Sequence, residues 1–211
     1  MPEKALMIKK QKIWIVDYGL GNLQSVYGAF AYFGLDPIIS SDPNTKADKI
    51  VLPGVGSFGK GVQNLKERNL FDILIEEIQN KQKFFLGICL GMQLLFDSSE
   101  ESPGYSGLSL IEGKVRHLSN LDKSIRVPNI GWGETELRDC EIFRGLKQKE
   151  YFYYIHSYYV EPYDPSFVSS DFCSGIRYPA AISKGNIYGV QFHPEKSGMN
   201  GLVIIRNFLD L

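Results

Sequence analysis

Three short stretches carry residue types able to do acyl-transfer chemistry. The first is Gly87-Ile88-Cys89-Leu90-Gly91. An apolar run enters it and another leaves it. A strand-to-helix turn here would put the cysteine on a sharp, exposed bend, with glycines where backbone must pass close. The helix start would aim N–H groups and a positive dipole end at the sulfur, favouring thiolate. The competing reading is a buried structural cysteine between packing glycines. The second stretch is Gln191-Phe192-His193-Pro194-Glu195. A cysteine nucleophile needs a base, and the base needs an orienting acceptor. His193 and Glu195 are two apart, on one side of an extended segment that Pro194 stiffens. His117 and His156 are rival bases. His117 lies among polar residues and reads as a surface histidine. His156 lies inside a strand pattern and reads as structural or substrate-lining. The third stretch is Pro53-Gly54-Val55-Gly56, whose glycines could free backbone N–H groups for an oxyanion. Alone it is a common turn.

The elements that must position these residues alternate. Lys12 to Tyr18, Pro37 to Ser40, Lys49 to Leu52 and Lys83 to Ile88 read as strands. Asn22 to Phe33, Leu65 to Ile78 and Leu90 to Phe96 carry helical spacing. The alternation predicts an α/β fold with a mainly parallel central sheet flanked by helices. The C-terminal edges of its third and fourth strands would bring Gly54 beside Cys89. The second half predicts added, largely antiparallel strands: Lys114 to Leu118, Glu134 to Leu137, Tyr151 to Val160, Ala180 to Ser183 and Asn186 to Gln191, the last two joined by a hairpin turn at Lys184-Gly185-Asn186. Gly201 to Leu211 reads as a closing helix. No repeat or linker divides the chain, so residues 11–211 are expected to form one domain behind a flexible lead-in over residues 1–10.

Composition narrows the function classes. With 211 residues and 44% hydrophobic residues, a full core needs no disulfide or metal staple. A net charge of -1, from 23 basic and 24 acidic residues, argues against a broad nucleic-acid binder. No apolar run is long enough for a membrane span, and the lysine-rich start lacks a secretory pattern. An odd set of cysteines (Cys89, Cys140 and Cys173) points to free thiols in a reducing cytoplasm. Cysteine and histidine spacing shows no zinc pattern, and Gly19-Leu20-Gly21-Asn22 has Gln24 where a dinucleotide fingerprint needs glycine. No metal or cofactor is expected.

Taken together, Asp17-Tyr18-Gly19-Leu20-Gly21-Asn22, Pro53 to Phe58, Gly87 to Gln93, Val127 to Trp132, His156-Ser157-Tyr158 and Gln191 to Ser197 resemble the class I, triad-type glutamine amidotransferases. Among these the chain is most similar to the glutaminase subunits of imidazole glycerol phosphate synthases, from about Ile13 to Leu211. The resemblance implies that Cys89 attacks the glutamine side-chain amide, that His193 relays the proton, and that Glu195 orients His193. It implies oxyanion donors at Val55 and Gly56. It implies a glutamine pocket lined by Gly54, Gln93, His156, Ser157 and Tyr158. It further implies that ammonia passes to a (β/α)₈-barrel cyclase in a heterodimer, with Asn22, Trp132, Tyr153 and Lys196 at the junction. Asn129 and Gly133 depart from the family's usual histidine and asparagine, leaving open a related subunit that feeds ammonia to another amidation, such as amidino-sugar formation. A free-standing cysteine hydrolase of γ-glutamyl substrates is the third reading.

Overall fold

The first strand, β1 (Ile13–Val16), is four apolar residues, all buried, as a strand covered on both faces requires. The structure is a computed structural model that describes residues 11–211; the lead-in expected over 1–10 lies outside the described residues. After β1, Asn22 caps α1 (Leu23–Ala31) by accepting the Ser25 N–H at 3.4 Å. β2 (Ile38–Ser40) and β3 (Lys49–Gly54) pair in parallel on either side of β1. The helix expected over Leu65 to Ile78 is instead two. α2 (Phe58–Glu67) ends before Asn69, whose φ of +56° takes the left-handed turn that stops helices, and α3 (Phe71–Ile75) runs on into a widened π turn over Glu76–Asn80.

β4 (Phe84–Cys89) pairs in parallel with β3, setting Gly54 opposite Cys89. The helix expected after it, Leu90 to Phe96, lasts one turn, α4 (Leu90–Gln93). Leu94, Leu95 and Phe96 are fully buried, and the chain continues as β5 (Phe96–Ser99). A short apolar run buried all round does not distinguish helix from strand. β5 pairs with β6 (Ile111–His117), which opens a separate small sheet.

β7 (Asn129–Leu137) and β8 (Lys149–His156) form a long antiparallel hairpin. The strand expected over Tyr151 to Val160 breaks at Ser157. Its second half, β9 (Tyr158–Pro162), joins β6 in the small sheet. β10 (Val168–Phe172) had no sequence signal. Its Ser-Ser-Asp centre looks like a turn, yet all five residues are buried, and Asp171 is paired with Arg138 at 2.6 Å and Arg177 at 3.0 Å. β11 (Tyr178–Lys184) and β12 (Ile187–Val190) meet at the expected Gly185 turn, with φ +59°. α5 (Gly198–Asp210) closes the chain.

The main sheet has nine strands in the order β2-β1-β3-β4-β12-β11-β10-β7-β8. The first five are mutually parallel and the rest antiparallel. Alternate residues of β1 feed two cores: Ile13 and Ile15 pack with Phe30 and Phe208, Trp14 and Val16 with Phe58 and Leu65. At the sheet's lower edge the buried Lys49 ammonium donates to the Phe208 and Leu209 carbonyls, each at 2.7 Å, capping α5. Burial pulls that ammonium down to about 8, while Asp210 and Asp48 work to hold it up.

The β4-to-α4 bend tolerates no side chain beside the cysteine. A Cβ on Gly91 would sit 1.7 Å from the Leu52 carbonyl oxygen, and one on Gly87 would sit 2.6 Å from that of Gly91. Both obstacles are backbone. Gly91→Ala is therefore expected to cost about 3 kcal/mol or more, read as a fall in the urea midpoint; a midpoint equal to the parent's would show that the bend is not tightly packed.

Candidate active site

Cys89 occupies the bend with φ +54° and ψ −108°, a conformation that side chains adopt only where surroundings impose it. The residue is 6% exposed. β12 lies beside β4 with Val190 opposite Ile88, so the segment leaving β12 carries His193 to the same sheet edge. His193 Nδ1 donates to Glu195 Oε1 at 2.7 Å, and both side chains are buried. Nε2 has no hydrogen-bond partner among the described residues. Burial pulls the imidazole down, but the sulfur of Cys89 and the carboxylate of Glu195 outweigh it and push His193 up to about 10. Glu195 thus holds the ring through Nδ1 and leaves Nε2 as its other polar atom.

The loop carrying His193 is moored to β8. Tyr153 accepts the His193 backbone N–H at 2.9 Å and donates its own N–H to Ser197 Oγ at 3.0 Å. Ser197 Oγ in turn donates to the His193 carbonyl at 2.6 Å. α5 packs so closely that a Cβ on Gly201 would lie 1.9 Å from the Pro194 carbonyl oxygen.

A cavity of about 270 Å³ opens above Cys89, at the small end of ligand sites. Val55, Gly56, Gln93, His156, Ser157 and Tyr158 all line it. Gly54 lies outside that lining. A Cβ there would lie 2.1 Å from Tyr18 Oη and 2.9 Å from Leu90 Cβ, so Gly54 lets the loop pass over Tyr18. Glu101 also lines the cavity and accepts the Phe58 N–H at 2.6 Å. It supplies a carboxylate for a cationic group, and no sequence signal marked it because residues 97–107 have no periodic pattern. His156 is buried. Its Nδ1 donates to the Tyr158 carbonyl at 2.8 Å, so its Nε2 accepts from the Tyr178 hydroxyl at 2.8 Å. Burial, reinforced by the charge of His193, pulls His156 down to about 4 against the opposing bond to Tyr158. It is a neutral wall, not a second base. His117, bonded to Ser119, lies outside the cavity lining.

Of the residues expected at a junction, Trp132 is 58% exposed and meets the Tyr153 ring edge-on at 6.2 Å. Lys196 Nζ stands 5.9 Å from the Tyr153 ring centre. Asn22 has a local task, capping α1.

A histidine held by a carboxylate, beside a cysteine on a strained bend that shares a cavity with a glycine loop, provides the parts that nucleophilic acyl transfer uses. The family described as Glutamine amidotransferase class-I matches residues 14–211. The chain belongs to the class-I glutamine amidotransferases. It is 49% identical to imidazole glycerol phosphate synthase subunit HisH of Pyrococcus furiosus, over 93% of this chain and 97% of that one. It is 43% identical to subunit HisH 1 of Methanococcus maripaludis, over 94% and 99%. Within the class it therefore groups with the HisH subunits. A solved structure, PurLQS from Thermotoga maritima, shares the fold at TM-score 0.74 and 19% identity, covering 96% of this chain and 99% of that one. No helix among the described residues is long and apolar enough to cross a membrane.

His156 gives a pH prediction. Its folded value lies below its ordinary 6.5, so the unfolded chain binds the proton more readily and stability is lost as pH falls from about 6.5 towards 4. The urea midpoint should drop across that window, and less steeply in His156→Gln. Equal slopes in the two proteins would show that His156 is not held neutral.

Proposed function

We propose that this chain is the glutaminase component of an imidazole glycerol phosphate synthase in histidine biosynthesis, working in the cytoplasm as a single domain over residues 11–211. Cys89 Sγ attacks the side-chain carbonyl carbon of glutamine, and negative charge gathers on the oxygen facing the Val55 and Gly56 backbone. His193 gives its Nε2 proton to the departing nitrogen, the C–N bond breaks, and ammonia leaves behind a glutamyl thioester. Neutral His193 then takes a proton from water, the hydroxyl adds to the thioester, and C–S cleavage returns the electron pair to sulfur and frees glutamate. Glu195 holds the imidazole in register throughout. Glu101 suits the glutamine ammonium group. Ammonia passes to a (β/α)₈-barrel cyclase, which makes imidazole glycerol phosphate and aminoimidazole carboxamide ribotide.

The observation that carries the paired reading is the outer face of the β7–β8 hairpin. Ile130, Trp132, Tyr151 and Ile155 are all exposed there, more apolar surface than a free-standing hydrolase keeps in water. Ile155 also lines the Cys89 cavity, so a protein seated on this face would adjoin the site. The departures Asn129 and Gly133 have a cause inside the chain. A Cβ on Gly133 would lie 2.1 Å from Phe172 Cε2; Phe172 stacks on Tyr178 at 4.7 Å; and Tyr178 Oη accepts from Asn129 Nδ2 at 2.9 Å. One aromatic pair fills the room that a larger residue at 133 would need, so these positions do not by themselves favour a partner serving another amidation.

With the barrel subunit present, Cys89→Ala should lower glutamine-dependent synthesis by about 10³-fold or more while leaving ammonia-dependent synthesis intact; loss of both, or of neither, would defeat the reading. Glu195→Gln should fold normally and lose about 10²- to 10⁴-fold in glutamine turnover, with parent-like turnover ruling out the orienting role.

A further inference from the structure

One buried polar side chain touches the sulfur and has no part in the chemistry above. Gln191 is 0% exposed, two residues before His193. Its Nε2 lies 3.5 Å from Cys89 Sγ, and its Oε1 accepts from Gln93 Nε2 at 3.0 Å. The two ends of an amide have the same shape, so neighbours must decide which end faces the sulfur. Here they do. The Tyr158 backbone carbonyl can only accept, and it lies 3.1 Å from the Gln93 amide, which fixes that end as nitrogen. Both Gln93 protons are then used, one on Tyr158 and one on Gln191. The oxygen of Gln191 must face Gln93, and its NH₂ must face Cys89. The anchor is itself held: the same carbonyl takes the Nδ1 proton of His156 at 2.8 Å, with Tyr178 and Asn129 behind it.

We propose that Gln191 is a further catalytic residue, an N–H donor to the Cys89 sulfur whose direction is set by the Tyr158 carbonyl through Gln93. A donor to sulfur is strongest when the sulfur carries charge. It favours the attacking thiolate, and it favours the thiolate again as the leaving group when the second tetrahedral intermediate collapses and the C–S electron pair returns to sulfur. On the intervening thioester the sulfur is a poor acceptor and the bond contributes little. The donor thus acts at both ends of the cycle through the sulfur.

This rests on Cys89 being the nucleophile, and the test separates the two ideas. In the complex with the barrel subunit, wild type, Gln191→Met and Gln191→Glu are compared. The first removes the donor at similar volume; the second places an acceptor against the sulfur. Expected at pH 7 are alkylation of Cys89 by iodoacetamide about tenfold slower in Gln191→Met and slower still in Gln191→Glu, kcat for glutamine lowered about 10- to 100-fold, and KM within about threefold of wild type. A packing defect would raise KM along with lowering kcat, whereas loss of the donor lowers kcat alone. Wild-type alkylation rates in both folded variants would overturn the proposal. A reading on unmutated protein covers the case in which neither variant folds: the Gln191 side-chain amide signal in ¹⁵N-labelled wild type should move when Cys89 is alkylated, and an unmoved signal overturns the donor role. If wild type itself is not modified at Cys89 by a glutamine-like electrophile, the nucleophile assignment fails and not the donor.

Discussion

The parallel pairing of β12 with β4 is the contact on which the site depends. It sets Val190 opposite Ile88, so both chains leave the sheet at the same edge, one into the Cys89 bend and the other towards Gln191, His193 and Glu195. The Cys89 sulfur and the His193 imidazole come from distant parts of the sequence, and this register sets them at the same edge. A slip of one residue would turn every β12 side chain to the opposite face. Gly189 argues that the register is tightly fixed, since a Cβ there would meet Met92 Cγ at 2.5 Å and Ile182 Cδ1 at 3.0 Å.

Much of this was legible in the residues. The glycines beside Cys89 declared the bend, the two-residue spacing of His193 and Glu195 declared their contact, and apolar runs gave the parallel half of the sheet. What stayed hidden was hidden for physical reasons. β10 is rich in serine and aspartate, and only tertiary ion pairs to Asp171 make its burial tolerable. The split between β8 and β9 falls within a run of uniformly good strand formers, and the divide is set by which sheet offers a partner. Asn69 stops a helix whose apolar stripe continues beyond it. Gln191 stood within a recognised stretch, but its task depends on which way an amide points, a property of its neighbours.

The antiparallel half adds a surface where the parallel half adds chemistry. Inward residues of β8, namely Phe152, Tyr154 and His156, build the core and the cavity wall. On the other face Ile130, Trp132, Tyr151 and Ile155 meet solvent. Tyr153 belongs to both. Its ring lies against Trp132, while its backbone holds the His193 loop from two sides. One residue thus joins the exposed face to the segment that carries the imidazole.

The last helix is stapled at both ends, by the tight seat of Gly201 on Pro194 above and by the Lys49 ammonium on its final carbonyls below. It behaves as a strut spanning the molecule from rim to rim. Any tilt of that strut would draw a buried cation away from the two carbonyl oxygens it holds.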